Sequence, residues 1–143
     1  MLRPRRSRMH LPRRAKRVAS FWKQIWRWQR GRQGSGYDKL LLGGTLWPLP
    51  CDCYLLKFPQ GSSVPPHTDR VAQGRHYRLN IIVWPARRGG EFVCARPIHA
   101  SRRIKLFRPD LEEHSVTRIE QGSRWVLSFG WVRGARGGTR PAA

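Results

Sequence analysis

The sequence predicts a mainly β protein, a sandwich or jelly roll, with an N-terminal amphipathic helix packed on it. Three observations carry this reading. Short apolar or alternating runs recur at 37–46, 51–58, 77–84, 91–96, 103–108, 113–119 and 124–132. Turn-forming stretches separate them at 48–50, 61–66, 87–90, 97, 109–110 and 121–123, a rhythm typical of such folds. Helical spacing appears in one stretch, 15–30. The chain has 143 residues, 39% of them hydrophobic and seven of them Trp, enough for one domain with a modest core.

Taken in order, residues 1–14 are a basic tail with two prolines and little to bury, expected to be disordered. In the expected helix, Val18, Phe21, Trp22, Ile25 and Trp26 form an apolar stripe among Lys16, Arg17, Lys23, Arg27 and Arg30. A basic amphipathic helix can also lie on a membrane or an RNA backbone. Packing is favoured, because so small a sheet needs a cover. The glycines of 31–36 then break the helix, and the β core runs from 37 to 132. One domain over 15–132 is expected, followed by a flexible tail at 133–143.

Lys and Arg number 29 against 8 Asp and Glu, for a formal charge of +21. Such a balance suits a polyanionic partner such as nucleic acid or an anionic membrane, and is equally what a GC-rich coding sequence produces. Three cysteines, Cys51, Cys53 and Cys94, are too few for a disulfide framework and point to a reducing, cytoplasmic setting. No apolar run is long enough to span a membrane, and the basic N-terminus lacks the apolar stretch of a secretory signal.

In so basic a chain, Asp69 in the stretch SSVPPHTDR stands out. It is either a turn residue or one arm of a metal site. In an extended segment, residues two apart point to the same side, so His67 and Asp69 can meet one ion. A third ligand must come from elsewhere. His10 lies in the tail, His76 precedes a strand, His99 follows Pro97 in a loop, and His114 begins a late strand. Two histidines and one carboxylate make the facial triad of non-haem Fe(II) oxygenases, which leaves coordination positions open. Arg124 opens the strand after His114, across the turn at 121–123. If those strands pair, its guanidinium lies near the metal and can hold the distal carboxylate of a dicarboxylate such as 2-oxoglutarate.

Three stretches carry a family resemblance over roughly 51–132: FPQGSSVPPHTD (58–69), RLNIIVWPARRGGEF (78–92) and HSVTRIEQGSRWVLSFGW (114–131). They resemble the Fe(II)/2-oxoglutarate-dependent dioxygenases of the small prolyl-hydroxylase-like kind. The resemblance implies a double-stranded β-helix, with iron on His67, Asp69 and His114 and 2-oxoglutarate on Arg124. It implies O2 as cosubstrate, stimulation by ascorbate, and hydroxylation or demethylation with decarboxylation of 2-oxoglutarate to succinate and CO2. Ser128 matches a hydroxyl residue that assists at the cosubstrate carboxylate. Phe58 stands where the family often has a tyrosine that bonds the cosubstrate, and Tyr54, four residues earlier on the same strand face, is the expected substitute.

On 77–84, alternation sets Arg78, Asn80, Ile82 and Trp84 on one face and Leu79, Ile81 and Val83 on the other. The aliphatic face is expected to pack against the helix or the opposing sheet. Arg78 then lines a pocket or faces solvent, and Asn80 contacts cosubstrate or substrate. Arg70, Arg75, Arg78, Arg87 and Arg88 are expected to flank the mouth, with Arg70 and Arg78 on the substrate. Residues 102–114 gather cations and then acids, which reads as a solvated loop. A protein substrate is preferred by resemblance; nucleic acid would bind through the basic N-terminal segment. Two other classes fit the same residues: a basic nucleic-acid-binding protein without catalysis, and a metal-binding jelly roll that has lost oxygenase chemistry.

Overall fold

The computed structural model describes residues 25–31, 35–45 and 49–134. The described residues form twelve strands and no helix: β1 (Trp28–Arg30), β2 (Asp38–Thr45), β3 (Cys51–Phe58), β4 (Val64–His67), β5 (Arg75–Trp84), β6 (Arg88–Gly89), β7 (Phe92–Cys94), β8 (His99–Ala100), β9 (Ile104–Phe107), β10 (His114–Val116), β11 (Ile119–Gln121) and β12 (Arg124–Arg133). Seven of them make one large sheet in the order β1-β2-β3-β12-β5-β9-β8. The others form two small sheets, β4-β10-β7 and β11-β6. Val64, Val116 and Ile119 of the small sheets pack on Phe58, Ile82 and Val126 of the large one, so the sheets are stacked layers sharing one core. This is the predicted jelly-roll β fold. Each aliphatic or aromatic side chain sunk into that core contributes about 1.5–3 kcal/mol.

The strand β12 organises the large sheet. It pairs antiparallel with β3 on one side and β5 on the other. Arg124, Val126, Ser128 and Gly130 are buried while the residues between them are half-buried, a strict period of two. Phe58, Tyr54 and Asp52 oppose Arg124, Ser128 and Gly130 on β3, and Asn80 and Arg78 oppose Ser128 and Gly130 on β5.

Four expectations are corrected. The helix expected at 15–30 is not helical over its last residues: Ile25 bridges Leu41, and Trp28–Arg30 pairs with β2. A free edge of β2 offers backbone partners there, and Trp28 gains a ring contact with Trp125. Residues 15–24, the tail 1–14 and residues 135–143 lie outside the described residues. The turn expected at 61–66 holds the start of β4, with Pro65 and Pro66 inside the strand. β4 is an edge strand, where missing N–H donors cost no ladder bonds. The strand expected at 113–119 is two, β10 and β11, in different small sheets. Consequently His114 and Arg124 are not on paired neighbours; they face each other from opposite layers. On β5 Arg78 and Asn80 line the cavity and Ile82 joins the core between the layers, so the aliphatic face, with Leu79 and Ile81 half-buried, does not meet the opposing sheet. The other cover expected for it, residues 15–24, lies outside the described residues, and a register shift beside Trp125 leaves both Val83 and Trp84 exposed.

Cys51, Cys53 and Cys94 are free thiols. Among the described residues no helix is long and apolar enough to cross a membrane.

Gly89 and Gly90 form the hinge between β6 and β7, both with φ near +73°. A Cβ on Gly89 would sit 2.1 Å from the Arg118 carbonyl oxygen. Gly89→Ala is therefore expected to cost roughly 2–3 kcal/mol of stability, read as a lower urea midpoint, because strain and backbone overlap act together.

Candidate metal centre

A cavity of about 550 Å³ lies between the layers. Its walls carry His67, Asp69 and Arg70 from β4 and the segment after it, and His114 from β10. From the large sheet come Tyr54, Arg78, Asn80, Arg124 and Ser128. Every site residue expected from the sequence therefore lines one space.

β4 and β10 pair so that His67 and His114 are direct Cα partners. Their rings lie 4.3 Å apart, centre to centre. The Asp69 backbone N–H donates to the Pro109 carbonyl at 2.6 Å and so fixes the carboxylate beside them. His67 Nε2 is 3.7 Å from one Asp69 oxygen, and His114 Nε2 is 4.0 Å from the other. The three donor atoms all fall within 4.8 Å of one another.

The histidines share a second feature. His67 Nδ1 lies 2.9 Å from the Pro65 carbonyl oxygen, and His114 Nδ1 lies 3.1 Å from that of Glu112. A carbonyl only accepts, so each Nδ1 carries a proton, and in a neutral ring Nε2, on the side of Asp69, is then the atom with the lone pair. Burial between Phe107 and Phe92 pushes the His114 pKa down, the carbonyl of Glu112 pulls it partly back, and His67 adds to the depression. Two neutral imidazoles and a carboxylate are the donor set of a divalent metal, and the three residues can hold one ion.

Arg124 is the electrostatic anomaly. Its residue is 2% exposed, and its pKa is lowered to about 10 by burial. Its Nε has no hydrogen-bond partner, and no carboxylate pairs with it among the described residues. The guanidinium lies 5.5 Å from the centre of the Phe58 ring, itself stacked on Tyr37. A buried, unpaired cation is costly unless an anion completes it.

Arg78 is charge-paired instead, although its Nε, like that of Arg124, has no hydrogen-bond partner. It donates to the Ser128 hydroxyl at 2.9 Å and pairs with Asp52 at 3.3 Å. Gly130 makes room for this pair: a Cβ there would lie 2.6 Å from Arg78 Nη2 and 2.8 Å from Asp52 Oδ1. Asn80 Oδ1 is buried without a partner. Tyr54 shares the cavity wall with Phe58, as alternation requires, under the Lys39 ammonium.

Among the lining residues that the sequence reading did not assign to the site are Tyr37, Asp52 and His76. Asp52 was within reach, since it alternates with Tyr54, Leu56 and Phe58 on β3. His76 was placed before a strand, but it lies inside β5, where burial and then Arg78 push its pKa down. Tyr37 is reached only through Gly31, whose missing side chain leaves space for its ring. Of the arginines expected at the mouth, Arg70 and Arg78 line the cavity; Arg75, Arg87 and Arg88 do not, and Arg88 pairs with Glu120. His99 is exposed on β8, away from the cavity. The segment expected as a solvated loop buries Glu112, which pairs with Arg96 at 3.2 Å.

Solved structures share this fold. A 2OG-Fe(II) oxygenase family oxidoreductase from Burkholderia pseudomallei matches with a TM-score of 0.59 at 14% identity, over 88% of this chain and 82% of that one. A cupin-2 domain protein from Rhodospirillum rubrum gives 0.52 at 11% identity, over 99% and 84%. KdgF from Halomonas sp. gives 0.50 at 17% identity, over 75% and 88%. No family model and no curated protein matches the sequence. Fold and site together thus define a jelly-roll β protein with a His-Asp-His cluster able to hold a metal.

Because His76 and His114 have pKa values below the ordinary 6.5 in the folded chain, the unfolded chain binds more protons as pH falls through that value. Stability of the metal-free protein should therefore fall between pH 7 and pH 5. Urea titrations at the two pH values check this, and the loss should shrink in His114→Gln.

Proposed function

We propose that this protein is an Fe(II)- and 2-oxoglutarate-dependent dioxygenase acting on a C–H bond of a further substrate. The observation that carries the reading is Arg124, a buried cation without a protein anion, in the same cavity as His67, Asp69 and His114. A metal-binding jelly roll without a carboxylate ligand has no use for so costly a charge. In this reading His67 Nε2, His114 Nε2 and the Asp69 carboxylate hold iron(II). When bound, the iron supplies dioxygen activation, coupled to oxidation of 2-oxoglutarate to succinate and CO2.

The chain's own residues do the rest. Arg124 takes the far carboxylate of 2-oxoglutarate through a charge-assisted pair, strong because the site is dry. Phe58, Leu56 and Val126 wall the cavity and exclude water around it. Ser128, already an acceptor from Arg78, keeps its own hydroxyl proton to donate, and Tyr54 and Asn80 orient the cosubstrate from the same sheet. Arg78 and Arg70 stand on the substrate side. Excess positive charge on the chain draws in a dicarboxylate.

Succinate formation from 2-oxoglutarate by Fe(II)-loaded protein exposed to oxygen tests this. His67→Ala should abolish it. Arg124→Met should raise the KM for 2-oxoglutarate on the order of 100-fold. The same Met variant should unfold at an equal or higher urea concentration than the parent, since an apolar side chain replaces an unpaired buried charge. Fe(II) binding without 2-oxoglutarate binding in the parent chain would sink the assignment of Arg124.

A further inference from the structure

We infer that the outer face of the large sheet, at the end carrying Trp125, is a docking surface for single-stranded nucleic acid. Arg124 and Val126 point into the cavity, so Trp125 between them points outward. The Trp28 ring meets the Trp125 ring edge-on at 6.1 Å. Trp84 is the Cα partner of Trp125 on β5. Trp84 is 65% exposed and Trp28 49%, so neither indole is core. Two indoles left in water beside a third, half-buried one are costly to maintain and mark a binding surface.

Cations accompany the rings. Lys57, the β3 partner of Trp125, sets its ammonium 5.3 Å from that ring's centre. Arg103 anchors at the end of β5, 3.2 Å from the Val83 carbonyl oxygen, beside Trp84 in sequence. Arg27 adjoins Trp28 and is exposed. None of these three forms an ion pair among the described residues; Asp38, the β2 partner of Lys57, pairs with Arg30 instead. The face is thus positive in a chain with 29 cations and 8 acids.

Flat aromatic faces set among phosphate-binding cations are what unpaired bases require: stacking for the base and neutralisation for the backbone. A duplex hides its base faces and would use the cations alone. An anionic membrane would also attract the cations, but it calls for a broad apolar stripe rather than rings interleaved with charge. The surface uses side chains on the opposite side of the sheet from the cavity, so it stands apart from the metal-centre reading.

The test is fluorescence anisotropy of a labelled single-stranded oligonucleotide of mixed sequence, titrated with the full chain at several salt concentrations. Trp28→Ala and Trp84→Ala remove rings without changing charge. Each should raise Kd on the order of 10-fold, while the slope of log Kd against log salt stays as in the parent. Trp→Phe variants, which keep an aromatic face, should recover most of the affinity; circular dichroism confirms that each variant is folded. An unchanged Kd in the folded double Ala variant would show binding by charge alone and overturn the inference. Equal affinity for the matching duplex, no binding to the oligonucleotide, or dependence on Trp28 and Trp84 only with anionic phospholipid vesicles would overturn it as well.

Discussion

The alternation of β12 between two paired neighbours is the constraint on which the rest of this molecule depends. Both of its edges are used, by β3 and β5, so its register cannot slip without turning every side chain to the wrong face. Its inward positions carry, in order, a guanidinium, a valine, a hydroxyl and a glycine. Along them the cavity passes from Arg124 against Phe58 to Ser128, with the Arg78–Asp52 pair beyond at Gly130. Its outward positions carry Trp125, Leu127, Phe129 and Trp131, which furnish the other face of the sheet. One strand therefore writes both surfaces at once.

Placing charge inside so small a barrel is expensive, and the chain handles its two inner arginines in opposite ways. Arg78 is neutralised by Asp52, with Gly130 yielding the necessary volume. Arg124 has no such relief, and it is also hemmed in: a Cβ on Gly90 would lie 3.4 Å from its Cδ. The first arrangement stabilises the apo fold. The second leaves an electrostatic demand that an anion from outside can meet, a familiar trade of stability for function.

Much of this was legible in the sequence because strands alternate. The spacing of His67 and Asp69, that of Arg124 and Ser128, and the alignment of Tyr54 with Phe58 are properties of period two, and each of these residues reaches the cavity. What escaped depends on partners distant in sequence. No local pattern says that Asp52 meets Arg78, or that Gly31 vacates space for Tyr37. The end of the expected helix misled because Ile25 and Trp26 continue the helical spacing of Val18, Phe21 and Trp22; the free edge of β2 takes up the chain there instead.

The two prolines of β4 have a consequence beyond guarding an edge. Pro65 and Pro66 fix their own φ angles, and Pro66 restricts the residue before it as well, so the backbone leading to His67 has little freedom left to lose. The Pro65 carbonyl already holds the His67 ring, and the Asp69 amide is already tied to Pro109. An arriving ion would spend little of its binding energy on ordering this arm. Affinity at such a site is governed by the donor atoms themselves rather than by the folding of a loop around them.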